Sequence, residues 1–106
     1  MFARKLEFAL VVNKRGEFIR KVRDEVLPIM KEQAGFIDVL GLTNEIQVEK
    51  ALVLSLWQTR ESALNYEKAV FPKVKELLKP YLMTPLVVTH CMVETTISDH
   101  ILAAVA

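Results

Sequence analysis

Lys50-Ala-Leu-Val-Leu-Ser-Leu-Trp57-Gln-Thr-Arg-Glu-Ser-Ala-Leu-Asn-Tyr66-Glu-Lys-Ala-Val-Phe71-Pro72-Lys-Val-Lys-Glu-Leu-Leu78 changes its hydrophobic period part-way, and that change decides the fold. Leu52, Leu54 and Leu56 alternate with Ala51, Val53, Ser55 and Trp57, the period-two pattern of a strand with two mostly apolar faces. Thr59 then offers a hydroxyl to an orphan amide as an N-cap, and Glu61 stands in the first turn where the helix dipole favours it. Beyond it Ala63, Tyr66, Val70, Val74, Leu77 and Tyr81 recur at helical spacing, with Glu61, Glu67, Lys68, Lys75 and Lys79 on the other side. Pro72 has no amide hydrogen and disfavours helical geometry at Phe71, so a kink or a break into two short helices is expected there.

Working outward, Leu6, Phe8, Leu10 and Val12 alternate with Glu7, Ala9, Val11 and Asn13 and read as the first strand. Lys14-Arg15-Gly16 turns into a helix whose apolar side is Phe18, Ile19, Val22, Val26, Ile29 and Met30, ending near Gln33. Gly35 supplies a left-handed residue after it, and Phe36 to Thr43 returns as a strand with Ile37, Val39 and Gly41 on one side. Asn44 to Glu49 is a polar turn into the strand quoted above. Pro80 stops the second helix, Met83-Thr84-Pro85 is a loop, and Leu86 to Glu94 forms the last strand. Val26-Leu27-Pro28-Ile29-Met30-Lys31-Glu32 echoes Val70-Phe71-Pro72-Lys73-Val74-Lys75-Glu76, a short match that suggests two related halves. The expected class is α+β, a ferredoxin-like βαββαβ domain over 1–96 with an antiparallel four-stranded sheet and both helices on one face. Residues 97–106 form an apolar tail expected to pack on a partner subunit.

At 106 residues and 52% hydrophobic, the chain builds one core with apolar surface left over. A formal net charge of +1 without a basic block excludes an electrostatic nucleic-acid footprint. Arg4 and Lys5 precede an apolar stretch, but Glu7 interrupts it, so it does not read as a secretion signal, and no run is long enough to span a membrane. The lone Cys91 fits a reducing, cytoplasmic setting. Metal-ligand spacing and glycine-rich phosphate loops are missing, so neither a metal nor another cofactor is expected. With helices on one face only, the other face exposes Leu and Val side chains each worth roughly 1.5–3 kcal/mol if buried, which points to a homodimer through the helix-free face.

The run from about Glu7 to Glu94, with Ala34-Gly35-Phe36 opening the second strand and Leu54-Ser55-Leu56-Trp57 leading to the helix with Val70-Phe71, resembles the antibiotic biosynthesis monooxygenase superfamily of dimeric α/β barrels. The resemblance implies a cofactor-independent monooxygenase of a small aromatic or polyketide-like substrate; a non-catalytic binding dimer and a purely structural dimer of the same fold are the alternatives. For the haem-degrading branch, the positions of its strand-one Asn, helix-two Trp and iron-ligating His fall on Ala9, Tyr66 and Lys75. A protonated lysine has no lone pair for iron, which disfavours haem.

Six residues are candidates for the site. Tyr66, on the sheet-facing helix stripe, would donate to a substrate oxygen; His90 would act as a base, against the plainer reading of a histidine bonded at the dimer seam; and Asn13 would donate to an enolate oxygen, although a strand-end Asn is usually a turn residue. Trp57 and Phe71 would wall an aromatic pocket between the sheet and the kinked second helix, Trp57 being more readily a core residue, and Arg60 would orient an acidic group.

Overall fold

A computed structural model describes residues 1–94 and Ile97. Apart from Ile97, the tail expected at 97–106 lies outside the described residues, as does the 1–96 boundary. Strands β1 (Phe2–Ala9), β2 (Phe36–Thr43), β3 (Lys50–Trp57) and β4 (Val87–Met92) form one sheet in the order β2-β3-β1-β4, every neighbouring pair antiparallel. Order and direction agree with the ferredoxin-like expectation. The helical elements are α1 (Arg15–Lys21), a π-helical segment (Val22–Val26), α2 (Leu27–Lys31), α3 (Arg60–Ala69), α4 (Phe71–Leu78) and a 3-10 turn (Lys79–Tyr81). Among the described residues no helix is long and apolar enough to cross a membrane.

The first strand begins earlier than its Leu6–Val12 pattern suggests. Phe2 already pairs with Trp57 and Met92, while Leu10 makes only an isolated bridge to Leu82 and Val12 is exposed in the turn. Extending the period of two backward puts Phe2, Arg4, Leu6 and Phe8 on one side of β1. Phe2, Leu6 and Phe8 join Phe18, Val26, Met30, Ala63, Tyr66, Phe71, Val74 and Leu78 in a single core, so this is the side that meets the helices.

The two helical stretches answer their prolines differently. Val70 leaves helical geometry (φ −121°, ψ −38°) and α4 restarts with Pro72 in its first turn, the break expected from Pro72. In the first stretch Pro28 cannot donate to the carbonyl of Asp24, and the widened π turn directly before α2 accommodates that loss without ending the helix. Thr59 caps α3 as its sequence suggests, its Oγ1 accepting from the Ser62 amide at 3.1 Å.

One register detail departs from simple alternation. Phe36 pairs with Trp57 and Asp38 with Leu56, a bulge that leaves Ile37 as the extra residue. Phe36, Val39 and Gly41 therefore share the helix side, in place of the expected Ile37, Val39 and Gly41. The opposite side of the sheet carries Leu52, Leu54 and Leu56 of β3 beside Leu40 and Leu42 of β2, the last two 55% and 49% exposed.

Candidate functional site

Two arrangements on the helix side of the sheet carry chemistry, and they lie under different helices. Beneath α3 and α4 the interior is filled. Trp57 is fully buried, its Nε1 donating to Ser55 Oγ at 3.0 Å, with the Tyr66 ring tilted against it at 4.9 Å and the Phe36 ring edge-on at 5.5 Å. Phe71 closes the stack next to Tyr66 at 6.1 Å. The pocket expected between the sheet and the kinked second helix is thus occupied by Trp57, Tyr66 and Phe71 themselves, because their combined ring volume fills what the proline break would otherwise open.

Arg4 completes this layer, and the sequence reading passed over it. Only 1% exposed, it holds its guanidinium over the rings of Phe71 (4.4 Å) and Tyr66 (5.2 Å) and donates from Nε to Glu67 Oε2 at 3.3 Å, while its Nη2 is buried without a protein partner. The same Glu67 oxygen is bonded at 2.6 Å to His90 Nε2, so one carboxylate on α3 ties β1 to β4. Partial burial pushes the Glu67 pKa up, but the His90 hydrogen bond and the Arg4 charge outweigh it and hold the carboxyl below the usual range. His90 is therefore bonded within the chain, facing α3, and not on the helix-free side where a seam would run. Arg4 had a signal in the sequence: it stands two residues before Leu6 on the inward parity of β1, obscured by reading the strand as starting at Leu6.

Burial pushes the Tyr66 hydroxyl up to about 12, with the Arg4 charge drawing it back in part. A raised folded pKa means that this contribution to stability is fully present below pH 10 and is lost as pH rises through 12. Two units correspond to about 3 kcal/mol. Urea unfolding of the native protein and Tyr66→Phe at about pH 8 and about pH 11.5 should show the native protein losing more stability between the two pH values; equal losses would contradict the assignment.

The hollow on this side lies under the first helical stretch instead. A half-open cleft of about 420 Å³ runs between α1, the π segment and the β2–β3 floor, with Phe18, Ile19, Val22 and Leu27 above and Val39, Gly41, Ala51 and Val53 below. Small residues make the space: a Cβ built on Gly41 would meet nothing within 4 Å. Its polar lining is Arg15, Arg23 and Thr43, with Arg15 Nη2 donating to Thr43 Oγ1 at 3.3 Å. None of Tyr66, His90, Asn13, Trp57, Phe71 and Arg60 lines this cleft. Asn13 is exposed in the β1–α1 turn with φ +68°, and Arg60 is exposed at the start of α3. A second hollow of about 580 Å³ opens on the helix-free side between Glu7, Leu42, Leu52, Thr84 and Val87. Among the described residues no cluster of His, Cys, Asp and Glu could hold a metal ion.

Neither a scan of family models nor a search of curated proteins finds a match to the sequence. Solved structures do match. A Bordetella bronchiseptica protein assigned to the antibiotic biosynthesis monooxygenases superposes with a TM-score of 0.73 at 14% identity, over 87% of this chain and 96% of its own. The chain has the antibiotic biosynthesis monooxygenase fold. SnoaB, a cofactor-independent oxygenase of Streptomyces nogalater, superposes at 0.74 with 11% identity over 88% of this chain and 92% of its own. The ActVA-Orf6 monooxygenase of Streptomyces coelicolor, solved with the ligand nanaomycin D, gives 0.74 at 14% identity over 88% and 87%. At these identities the likeness concerns the fold, and the chemistry must be argued from this chain's own residues.

Proposed function

We propose that the protein takes a small aromatic or polyketide-like molecule into the cleft beneath its first helix and oxygenates it as a cofactor-independent monooxygenase. The observation that carries this reading is a ring-sized apolar cleft with polar groups confined to part of its lining, in a chain with this fold. In such a reaction an activated ring CH2 loses a proton to solvent water, the carbanion gives an electron pair to O2, and the peroxide anion takes up a proton from water to give a hydroperoxide that loses water to leave a carbonyl. The substrate plus O2 becomes a ketone plus water, and the substrate supplies all the electrons.

Arg15 and Arg23 are the ionisable groups of the cleft lining, and a guanidinium accepts no proton at neutral pH. The protein's share of the work is then to bind the ionised substrate, stabilise its negative oxygen and exclude water from the ring. Trp57, Tyr66, Phe71 and the Arg4–Glu67–His90 set hold α3 and α4 in place, and Asn13 and Arg60 stand outside the chemistry. The lack of a base in the lining also favours a second reading, binding without turnover. Oxygen uptake with a panel of anthrone-like ketones and quinols tests the first: consumption that Gly41→Phe lowers by about tenfold or more supports it, since the new ring fills the cleft. No uptake with any of them leaves the binding reading.

We also propose a homodimer through the side bearing Leu40, Leu42, Leu52, Leu54 and Leu56. Sedimentation should give twice the chain mass of 12.1 kDa at micromolar concentration, and Leu54→Asp should dissociate the dimer and lower its melting temperature. A native protein that stays monomeric would remove the idea.

A further inference from the structure

We infer that the ligand of the cleft beneath the first helix is an aromatic monoanion whose oxyanion sits against Arg15 and Thr43; the inference rests on the reading of that cleft as the binding site. The two arginines of the lining are not equivalent. Arg23 is closed by its neighbour Asp24, Nε to Oδ1 at 2.8 Å and Nη2 to Oδ2 at 3.3 Å, so its charge is already answered. Arg15 makes no ion pair among the described residues, and its hydrogen bond goes to a neutral hydroxyl, Thr43 Oγ1 at 3.3 Å. No carboxylate lines the cleft. Arg15, solvent-exposed beside Thr43, is thus the one lining charge without an ion-pair partner among the described residues, and it complements one negative charge on the ligand.

The donor geometry agrees with the charge count. Thr43 Oγ1 accepts from the guanidinium, which leaves its own proton to donate, and Arg15 keeps further N–H groups. Helix α1 and the end of β2 thus bring an N–H and an O–H to one place, where a phenolate, enolate or carboxylate oxygen finds two donors. The ring behind that oxygen lies over Val39, Gly41 and Val53 with Phe18 above it.

Binding of 1-naphthoate, of its neutral isostere 1-naphthamide, and of 2,4-dinitro-1-naphtholate, an aryl oxyanion ionised at neutral pH, tests this by calorimetry on the full chain. The native protein should prefer the anions over the amide by about tenfold, and Arg15→Gln should erase that preference while keeping the amide. Whichever of naphthoate and naphtholate binds more tightly assigns the oxyanion to a carboxylate or to a ring oxygen. Equal binding of anions and amide by the native protein, or a preference that survives in Arg15→Gln, overturns the inference but leaves the cleft. Gly41→Phe should abolish binding of all three, with Ala51→Leu as an independent plug should the first variant not fold. Binding that persists in a folded plugged variant, or no binding of any probe to the native protein, overturns the cleft reading and the inference with it.

Discussion

Glu67→Ala is expected to lower the unfolding free energy by about 3 kcal/mol, because it strands the Arg4 charge in an interior where it has no other anion. Arg4 is 1% exposed and already leaves Nη2 without a protein partner, so the Glu67 carboxylate is its single ionic compensation among the described residues. Glu67 itself is 28% exposed, which lets water reach part of the site and places the cost toward the lower end for a broken buried pair. The same change releases His90 from α3 and with it the tie between β1 and β4. Arg4→Met in the Glu67→Ala background should recover most of the loss, since an apolar side chain of similar length removes the unpaired charge and keeps the contact with Phe71 and Tyr66. Urea denaturation of the four proteins checks the cycle; a Glu67→Ala cost below about 1 kcal/mol would show that Arg4 finds another partner.

The pair also sets an acid limb. Because the folded pKa of Glu67 is depressed, its contribution is present above the ordinary carboxylate value of 4.5 and is lost as pH falls through the lower folded value. Glu67→Gln should be less stable than the native protein near neutrality and approach it in acid.

Gly35→Ala should be comparably damaging, about 3 kcal/mol, for two separable reasons. Gly35 stands at φ +80°, where an L side chain is strained, and an added Cβ would fall 2.3 Å from Ser62 Oγ and 2.5 Å from Ser62 Cβ. The β-carbon belongs to the first turn of α3, so relief requires moving the helix that carries Tyr66 and Glu67. Ser62→Gly should recover the steric part and leave the backbone strain, roughly 1–3 kcal/mol. Thermal melts of the single and double variants distinguish the parts; full recovery in the double variant would mean that the left-handed backbone costs nothing here.

Period and punctuation in the chain determined its elements. Alternation through Lys50–Trp57, the Thr59 cap, the break at Pro72 and the left-handed Gly35 are local properties, decided by a few neighbouring residues, and each is found where the sequence places it. The order of elements then limits an antiparallel sheet to few arrangements. The site was less legible. Tyr66, Trp57 and Phe71 were readable as inward-facing, but whether three inward rings wall a cavity or fill it depends on volumes contributed from four separate strands and helices. Arg4 shares the inward parity of Leu6 and Phe8, but its place beneath α3 follows from its pairing with Ser55 and His90, in strands far away in sequence. The cleft is harder still: Gly41 and Ala51 are absences of side chain on two strands, and they become a space only when the bulge at Ile37 sets the β2 parity and the π turn sets the height of the first helix above them. Local periodicity determined which elements form and the fold class, while the tertiary structure decided where β1 begins, which residue bulges from β2, and which inward faces close and which stay open, because packing is a sum over residues distant in the chain.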